Sequence, residues 1–143
     1  MLLPKRSKYR KQQKGHLAGY ETRGVFHEHA DFALQVVDPG WITSRQIESG
    51  RRTIARSVKR GGKIFIRIFP FKVITKKPAE VRMGSGKGSP EYWVATVRPG
   101  RIIYELHGVS AAVAEEALRL AAQKFPMKTR VIRRHALSEK VVY

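Results

Sequence analysis

The glycine-rich segment Arg82–Gly88 has the composition of a loop that approaches phosphates closely. Glycine lacks a Cβ, so the backbone N–H groups of such a segment can come near a ligand surface. Two cations, Arg82 and Lys87, belong to the segment, and their charges favour a phosphate at that surface. The residues of this glycine loop are Arg82, Met83, Gly84, Ser85, Gly86, Lys87 and Gly88. We expect a phosphate-bearing partner to order the loop, and a solvated hairpin loop without a partner is the alternative.

The spacing of these glycines argues against a nucleotide-hydrolysing P-loop. That motif has a glycine with four residues between it and Gly86, where this chain has Val81. It also has Ser or Thr after the lysine, where this chain has Gly88. A helix should follow and hold the anion at its N-terminus, whereas Tyr92–Val97 is rich in aromatic and β-branched residues and predicts a strand. We therefore do not expect ATP or GTP hydrolysis.

A second group of reactive side chains lies in the segment His27–Asp31. His27 and His29 would share a face of a strand, but a zinc site needs three or four converging ligands. The other histidines have no spacing that would complete such a site, and the chain has no cysteine. No acid–base pair accompanies a plausible nucleophile. We expect no metal site, no cofactor and no catalytic residue, and we interpret the segment as a polar loop with titratable histidines.

The charge of the chain points to a polyanionic partner. Its 143 residues include 29 Lys and Arg against 11 Asp and Glu, which gives a formal net charge of +18. A compact chain of this charge repels itself, and it gains by neutralising a polyanion and releasing counterions. No apolar run is long enough to span a bilayer, and the N-terminus is charged rather than apolar. Nucleic acid is therefore the expected partner, a membrane is not, and the length suits a single domain.

Residues 1–24 form a basic N-terminal arm without an acidic residue before Glu21. The arm contains several glycines and no apolar face, so it cannot bury enough surface to order itself. Its six cations are Lys5, Arg6, Lys8, Arg10, Lys11 and Lys14. We expect the arm to dock on nucleic acid, with a solvated tail as the alternative, and residues 25–143 to form one nucleic-acid-binding domain.

A helix with opposed apolar and cationic faces is predicted to begin at Thr43. Thr43 and Gln46 have the spacing of a capping box, and Ile47 and Ile54 fall on one face of the helix. The other side carries Arg45, Arg51, Arg52, Arg56, Lys59 and Arg60. Only Glu48 offsets these charges, so they repel one another unless phosphates intervene. We expect this face to contact RNA or DNA, and bare solvation is the alternative.

The remaining elements are strands and one further helix. Apolar runs predict strands at 32–37, 63–69, 92–97 and 101–106 and an edge strand at 128–134, and residues 71–78 are expected to be irregular. The turn Arg98–Gly100 predicts that strands 92–97 and 101–106 pair as a hairpin. The second helix is expected to be capped by Ser110 and to end near Phe125. Its predicted buried side consists of Val113, Ala117, Leu120 and Ala121. Without regular βαβ alternation, these elements predict an α+β sandwich of an antiparallel or mixed sheet and two α-helices.

Several motifs of this chain occur together, in order, in one known family. They are Leu3–Arg6, Thr43–Glu48, Gly62–Pro70, Arg82–Gly88, Glu91–Val94 and Arg98–Arg101. In these motifs, and over residues 1–134 as a whole, the chain resembles large ribosomal subunit protein sixteen of bacteria and organelles.

The resemblance implies an α+β sandwich that binds large-subunit rRNA beside the peptidyl-transferase region, contacts neighbouring ribosomal proteins and supports late subunit assembly. It also implies contact with A-site tRNA, with P-site tRNA as a second candidate. Arg82–Gly88 corresponds to the loop that reaches toward the tRNA acceptor end, and Lys5–Lys11 and Arg45–Arg60 correspond to rRNA-binding surfaces. The implied protein is neither an enzyme nor a homo-oligomer, and it works on a bacterial, plastid or mitochondrial ribosome. A free-standing RNA-binding assembly or regulatory factor is the alternative.

The chain departs from the family pattern in two places. Phe26–Ala30 stands where the family usually has a Phe-Gly pair. Phe71 replaces a common Asp, and Val73 replaces a usual Pro. The family's local RNA contacts are therefore not transferred to these positions.

Overall fold

Two antiparallel sheets and two helices make up the part of the chain that the structure, a computed structural model, describes: residues 2–59 and 61–134. The strands are β1 (Phe32–Val36), β2 (Gly40–Thr43), β3 (Lys63–Ile66), β4 (Lys72–Lys76), β5 (Ser89–Val97), β6 (Ile102–His107) and β7 (Thr129–Arg133), and the helices are α1 (Ser44–Ser57) and α2 (Ala111–Ala122). The predicted α+β class is confirmed. Neither of these helices is long and apolar enough to cross a membrane.

The first sheet has the strand order β3-β6-β1-β7, and its strands β1 and β6 contribute Leu34, Val36, Ile103, Tyr104 and Leu106 to the hydrophobic core. The β-branched and aromatic run of β6 lies near its centre, with Ile102–Leu106 buried. β1 places Leu34 opposite Tyr104 of β6 on one side and opposite Val131 of β7 on the other. β7 is therefore the predicted edge strand. Helix α2 packs on β1 and β7, and the two helices pack against each other.

Helix α1 begins where the sequence predicts. The Thr43 hydroxyl accepts a hydrogen bond from the Gln46 N–H at 3.2 Å, and the Gln46 side chain accepts one from the Thr43 N–H at 2.9 Å. Ile47, Gly50 and Ile54 are buried. A Cβ at Gly50 would lie 2.6 Å from the Tyr104 hydroxyl oxygen, so glycine permits this close contact. The cap and the apolar face together turn the charged side of α1 outward.

The second sheet has the order β2-β5-β4 and contains two strands that sequence reasoning missed. β4 occupies most of the segment expected to be irregular, and Val73 pairs with Trp93 of β5. β2 occupies the turn region before α1, where Trp41 pairs with Thr96. Both strands are short, at 5 and 4 residues, and neither has enough alternation to stand out before its partner is known.

The predicted hairpin between β5 and β6 is wrong, because the two strands lie in different sheets. Gly100 N–H donates to Val36 O at 2.9 Å, and Val36 N–H donates to Arg101 O at 2.8 Å. These bonds direct the chain away from β5 and into the first sheet, where β6 pairs with β1 and β3. A Pro-Gly turn determines where the chain turns, but it does not determine the next pairing partner.

The buried side of α2 also differs from the prediction. Ala114, Ala117, Leu118 and Ala121 are buried, whereas Val113 and Leu120 are 39% and 38% exposed. The helix ends at Ala122, and the Ser110 side chain makes no capping hydrogen bond. Because half of the residues in this helix are alanines, its periodicity identifies the buried side poorly.

Candidate nucleic-acid interface

The glycine loop belongs to the connection between β4 and β5, whose paired ends are Lys76 and Ser89. Residues 81–87 are exposed, and Met83 is fully exposed. Gly84, Ser85 and Gly86 have φ values of 90°, 59° and 87°, in the left-handed region that glycine adopts readily. A Cβ at Gly88 would lie 2.6 Å from Lys76 O, so glycine is needed there because the two sides of the hairpin approach closely. The loop thus extends from the end of a hairpin into open space.

Few hydrogen bonds hold the loop. Lys77 Nζ donates to Gly84 O at 2.5 Å, and Lys11 Nζ from the arm donates to Lys87 O at 2.9 Å. Neither Arg82 nor the Lys87 ammonium has a carboxylate within 4.0 Å among the described residues. Both charges are therefore available to an external anion.

The cationic face of α1 is exposed at Arg45, Arg52 and Arg56, while Arg51 is half-buried. Lys59 was predicted on the same face, but α1 ends at Ser57 and Lys59 lies exposed in the turn that follows, with a φ of 50°. Arg60 lies outside the described residues. Together with Lys124 after α2, this face lines a shallow groove of ≈ 440 Å³ whose residues are Arg45, Glu48, Ser49, Arg52, Thr53, Arg56 and Lys124. Sequence reasoning missed Lys124, because only the packing of α2 on α1 brings it to this face.

Glu48 partly neutralises the same face. Its carboxylate accepts from Arg51 Nη2 at 2.6 Å and from Arg52 Nε at 3.2 Å. The hydrogen bond from Arg51 is the main reason why the pKa of Glu48 is held at about 2, with Arg52 lowering it further and burial opposing both. In the described part of the chain, no carboxylate lies within 4.0 Å of Arg45, Arg56 or Lys59.

The six predicted cations of the arm, Lys5 to Lys14, are exposed, and no helix or strand precedes Phe32 in the described chain. The arm meets both other predicted sites. Leu2 and Leu3 line a groove with Arg45 at the start of α1, and Lys11 reaches the glycine loop. The arm therefore connects the other two predicted sets of residues, the cationic face of α1 and the glycine loop.

A buried acid that sequence reasoning missed holds the segment between the arm and β1. Glu105 in β6 is fully buried and accepts from the N–H of His29 at 2.7 Å and from the Arg67 guanidinium, which also contacts Glu28 at 2.9 Å. Burial raises the pKa of Glu105, but the N–H groups of His29 and Glu28 and the charge of Arg67 outweigh it, so the pKa is lowered. An acid within an apolar strand and an arginine directly after the neighbouring strand β3 were the available sequence signals.

These contacts also account for the side chains considered as metal ligands. Glu28 contacts Arg67, the His29 ring lies 5.0 Å from that of Phe65, and Asp31 Oδ2 lies 3.2 Å from His107 Nδ1. The two ring nitrogens of His27 are buried and have no hydrogen-bond partner among the described residues. Within residues 2–59 and 61–134, no three His, Asp or Glu side chains converge on a common point that could hold a metal.

A comparison with known families identifies the family to which the chain belongs. The model of the family described as ribosomal protein L16p/L10e matches residues 4–132. This match includes most of the arm, both helices, the glycine loop and all the strands except the last residue of β7, Arg133. The exposed cations of the arm, of α1 and of the loop suit a protein that binds rRNA. The chain belongs to the ribosomal protein L16p/L10e family and is a structural, rRNA-binding constituent of the large ribosomal subunit.

Proposed function

We propose that this chain contacts two kinds of RNA on the ribosome through different surfaces. The arm of residues 1–24 and the cationic face of α1 bind rRNA near the peptidyl-transferase region, and Arg82–Gly88 contacts A-site tRNA. The observation that carries this proposal is the exposed loop with two cations free of described carboxylates. P-site tRNA is a second candidate partner of the same surface.

The rRNA-binding residues act on phosphates rather than on base edges. Arg45, Arg52 and Arg56 present their charges along one exposed side of α1, Lys59 follows in the turn after the helix, and the arm adds six more cations. Such contacts fix the position of a protein on RNA and carry most of its salt-dependent affinity. They support a role in late subunit assembly. The protein supplies no catalytic residue, because the peptidyl-transferase chemistry belongs to the RNA.

The glycine loop suits tRNA because it extends beyond the folded sheet. Arg82 can engage a phosphate with two parallel hydrogen bonds, Lys87 adds a point charge, and the glycines let the backbone approach the ligand. Gly84 and Gly86 have no other atom within 4 Å of the place where a Cβ would stand, so the loop contributes little to the core.

Replacing Arg82 tests this assignment. In ribosomes that carry Arg82→Ala, we expect near-normal subunit incorporation, A-site tRNA affinity lowered roughly tenfold by the loss of one charged hydrogen-bonding group, and slower elongation. Arg119→Ala on the exposed side of α2 removes the same charge elsewhere and serves as the matched control. If incorporation collapses while the ribosomes that form bind A-site tRNA normally, the loop is an rRNA anchor and the proposed tRNA contact is wrong.

A further inference from the structure

We propose that the arm positions the glycine loop through Lys11, so that RNA bound where arm and loop meet also orders the loop for tRNA. This inference rests on the proposed function and deepens it. The place where the two meet, here called the arm–loop junction, consists of Lys11, Lys14, Lys72 and Lys87. It joins the segment assigned to rRNA with the segment assigned to tRNA.

The loop depends on few bonds for its conformation. Its residues are exposed, and three consecutive residues, Gly84 to Gly86, have positive φ values. Only two side chains of the described chain donate hydrogen bonds to its carbonyl groups, those of Lys77 and Lys11. Lys77 lies within the same β4–β5 connection, so Lys11 is the link between the loop and a different segment.

The arm is in turn held on the sheet from which the loop extends. Lys72 of β4 donates a hydrogen bond from Nζ to the backbone oxygen of Lys14. The ammonium groups of Lys14 and Lys72 lie 5.7 Å and 5.6 Å from the centre of the Trp41 ring, within cation–π range. Residues 11–14 are thus fixed to β2 and β4 at one end and to the loop at the other.

The charge of the junction favours an RNA phosphate as its ligand. In the described part of the chain, no carboxylate lies within 4.0 Å of the four lysine side chains. A groove of ≈ 350 Å³ between arm and sheet includes Lys14 and Lys87 in its lining, together with the rings of Trp41 and Tyr92. The four lysines of the junction carry like charges, and a bound phosphate would offset their repulsion and draw arm and loop together.

The first test measures loop order in the free, full-length chain. We expect Lys11→Met to lower the backbone ¹⁵N order parameters of Gly84, Gly86 and Gly88, because the variant keeps the aliphatic stem and loses the donor. Lys8→Met is the matched control, since the contact found for the Lys8 ammonium is the ring of its neighbour Tyr9, 5.6 Å away. Equal order parameters in wild type and Lys11→Met would overturn the proposal.

The second test is a double-mutant cycle on ribosomes with Lys11→Met and Arg82→Ala. If Lys11 acts by positioning the loop, Lys11→Met should lower A-site tRNA affinity less in the Arg82→Ala background than in wild type. The two fold-losses should differ by more than about threefold. Effects that multiply independently would overturn the coupling. If Arg82→Ala alone leaves tRNA affinity unchanged, the proposed tRNA contact is wrong, and the order parameters still decide whether Lys11 positions the loop.

Discussion

Glu48 determines which arginines of α1 have a free charge. It binds Arg51 and Arg52, whereas Arg56 has no carboxylate within 4.0 Å in the described chain. An arginine already paired with an acid gains less from a phosphate than one that is free. We therefore expect Arg56 to carry more of the RNA affinity than Arg52, although both lie on the same cationic face.

The lowered pKa of Glu48 predicts how Glu48→Gln changes stability with pH. The pKa falls from an ordinary value of 4.5 to about 2 in the folded chain, so the carboxylate stabilises the fold above pH 4.5. That contribution is lost as pH falls from 4.5 toward 2. Wild type should exceed Glu48→Gln in free energy of unfolding near pH 6 by less than about 1 kcal/mol, because the pair is partly solvated. Urea unfolding between pH 2 and pH 6 measures the difference.

The control for this experiment is Glu116→Gln in α2, an exposed acid without a described ion partner within 4.0 Å. Its difference from wild type should stay near zero over the same range. A Glu48→Gln difference that is as large at pH 2 as at pH 6 would contradict the assigned pKa.

The contacts of individual residues were predictable only where they were local. Glu48 lies three and four positions from its partners on one helix, so the pairing follows from helical spacing. Glu105 and Arg67 are in contact but lie far apart in the sequence. Lys124 joins the α1 face only because α2 packs on α1. Such contacts depend on strand order and helix packing, which a single sequence specifies weakly.

The helices and strands show the same difference between local signals, which the sequence predicts, and long-range pairing, which it does not. Helix α1 was predicted with its cap and buried face, because both signals lie within a few residues of each other. The pairing of β5 with β6 was predicted wrongly, since β5 instead lies between β2 and β4. β4, the strand that leads into the glycine loop, was missed altogether, and the loop was identified by its composition alone.

The cationic face of α1 predicts a defined change in salt dependence. Arg56→Gln should reduce the slope of log affinity for large-subunit rRNA against log salt by about 1, which corresponds to one lost phosphate contact. Arg52→Gln should reduce the slope less, because Glu48 already pairs with Arg52. Filter binding at a series of salt concentrations measures both slopes.

Arg119→Gln, with the same charge change on the exposed side of α2, should keep the wild-type slope. Thermal unfolding of all three variants should stay close to wild type, since exposed charges contribute little to stability. An unchanged slope for Arg56→Gln would show that this face does not bind phosphates.

For the molecule as a whole, the arm connects surfaces that lie on different elements. Leu2 packs against the hydrophobic core, and Lys11 and Lys14 are held at the glycine loop and the second sheet. Residues 5–10 between these points make no described hydrogen bond or ion pair with the rest of the chain. The net charge of the chain is +18, so charge repulsion opposes packing of residues 5–10 against the rest of the protein unless a polyanion is bound.

This arrangement predicts different amide exchange in the free chain and in the assembled subunit. Residues 5–10 should exchange at nearly the rate of unstructured peptide in the free chain, because their N–H groups have no described partner within the protein. On rRNA, phosphates close to the backbone should slow that exchange at least about tenfold, while Leu34 and Tyr104 in the first sheet stay protected in both states and report that the fold is unchanged. Equal protection of residues 5–10 in both states would mean that rRNA does not order the arm, and the α1 face would then have to supply the rRNA affinity assigned to both.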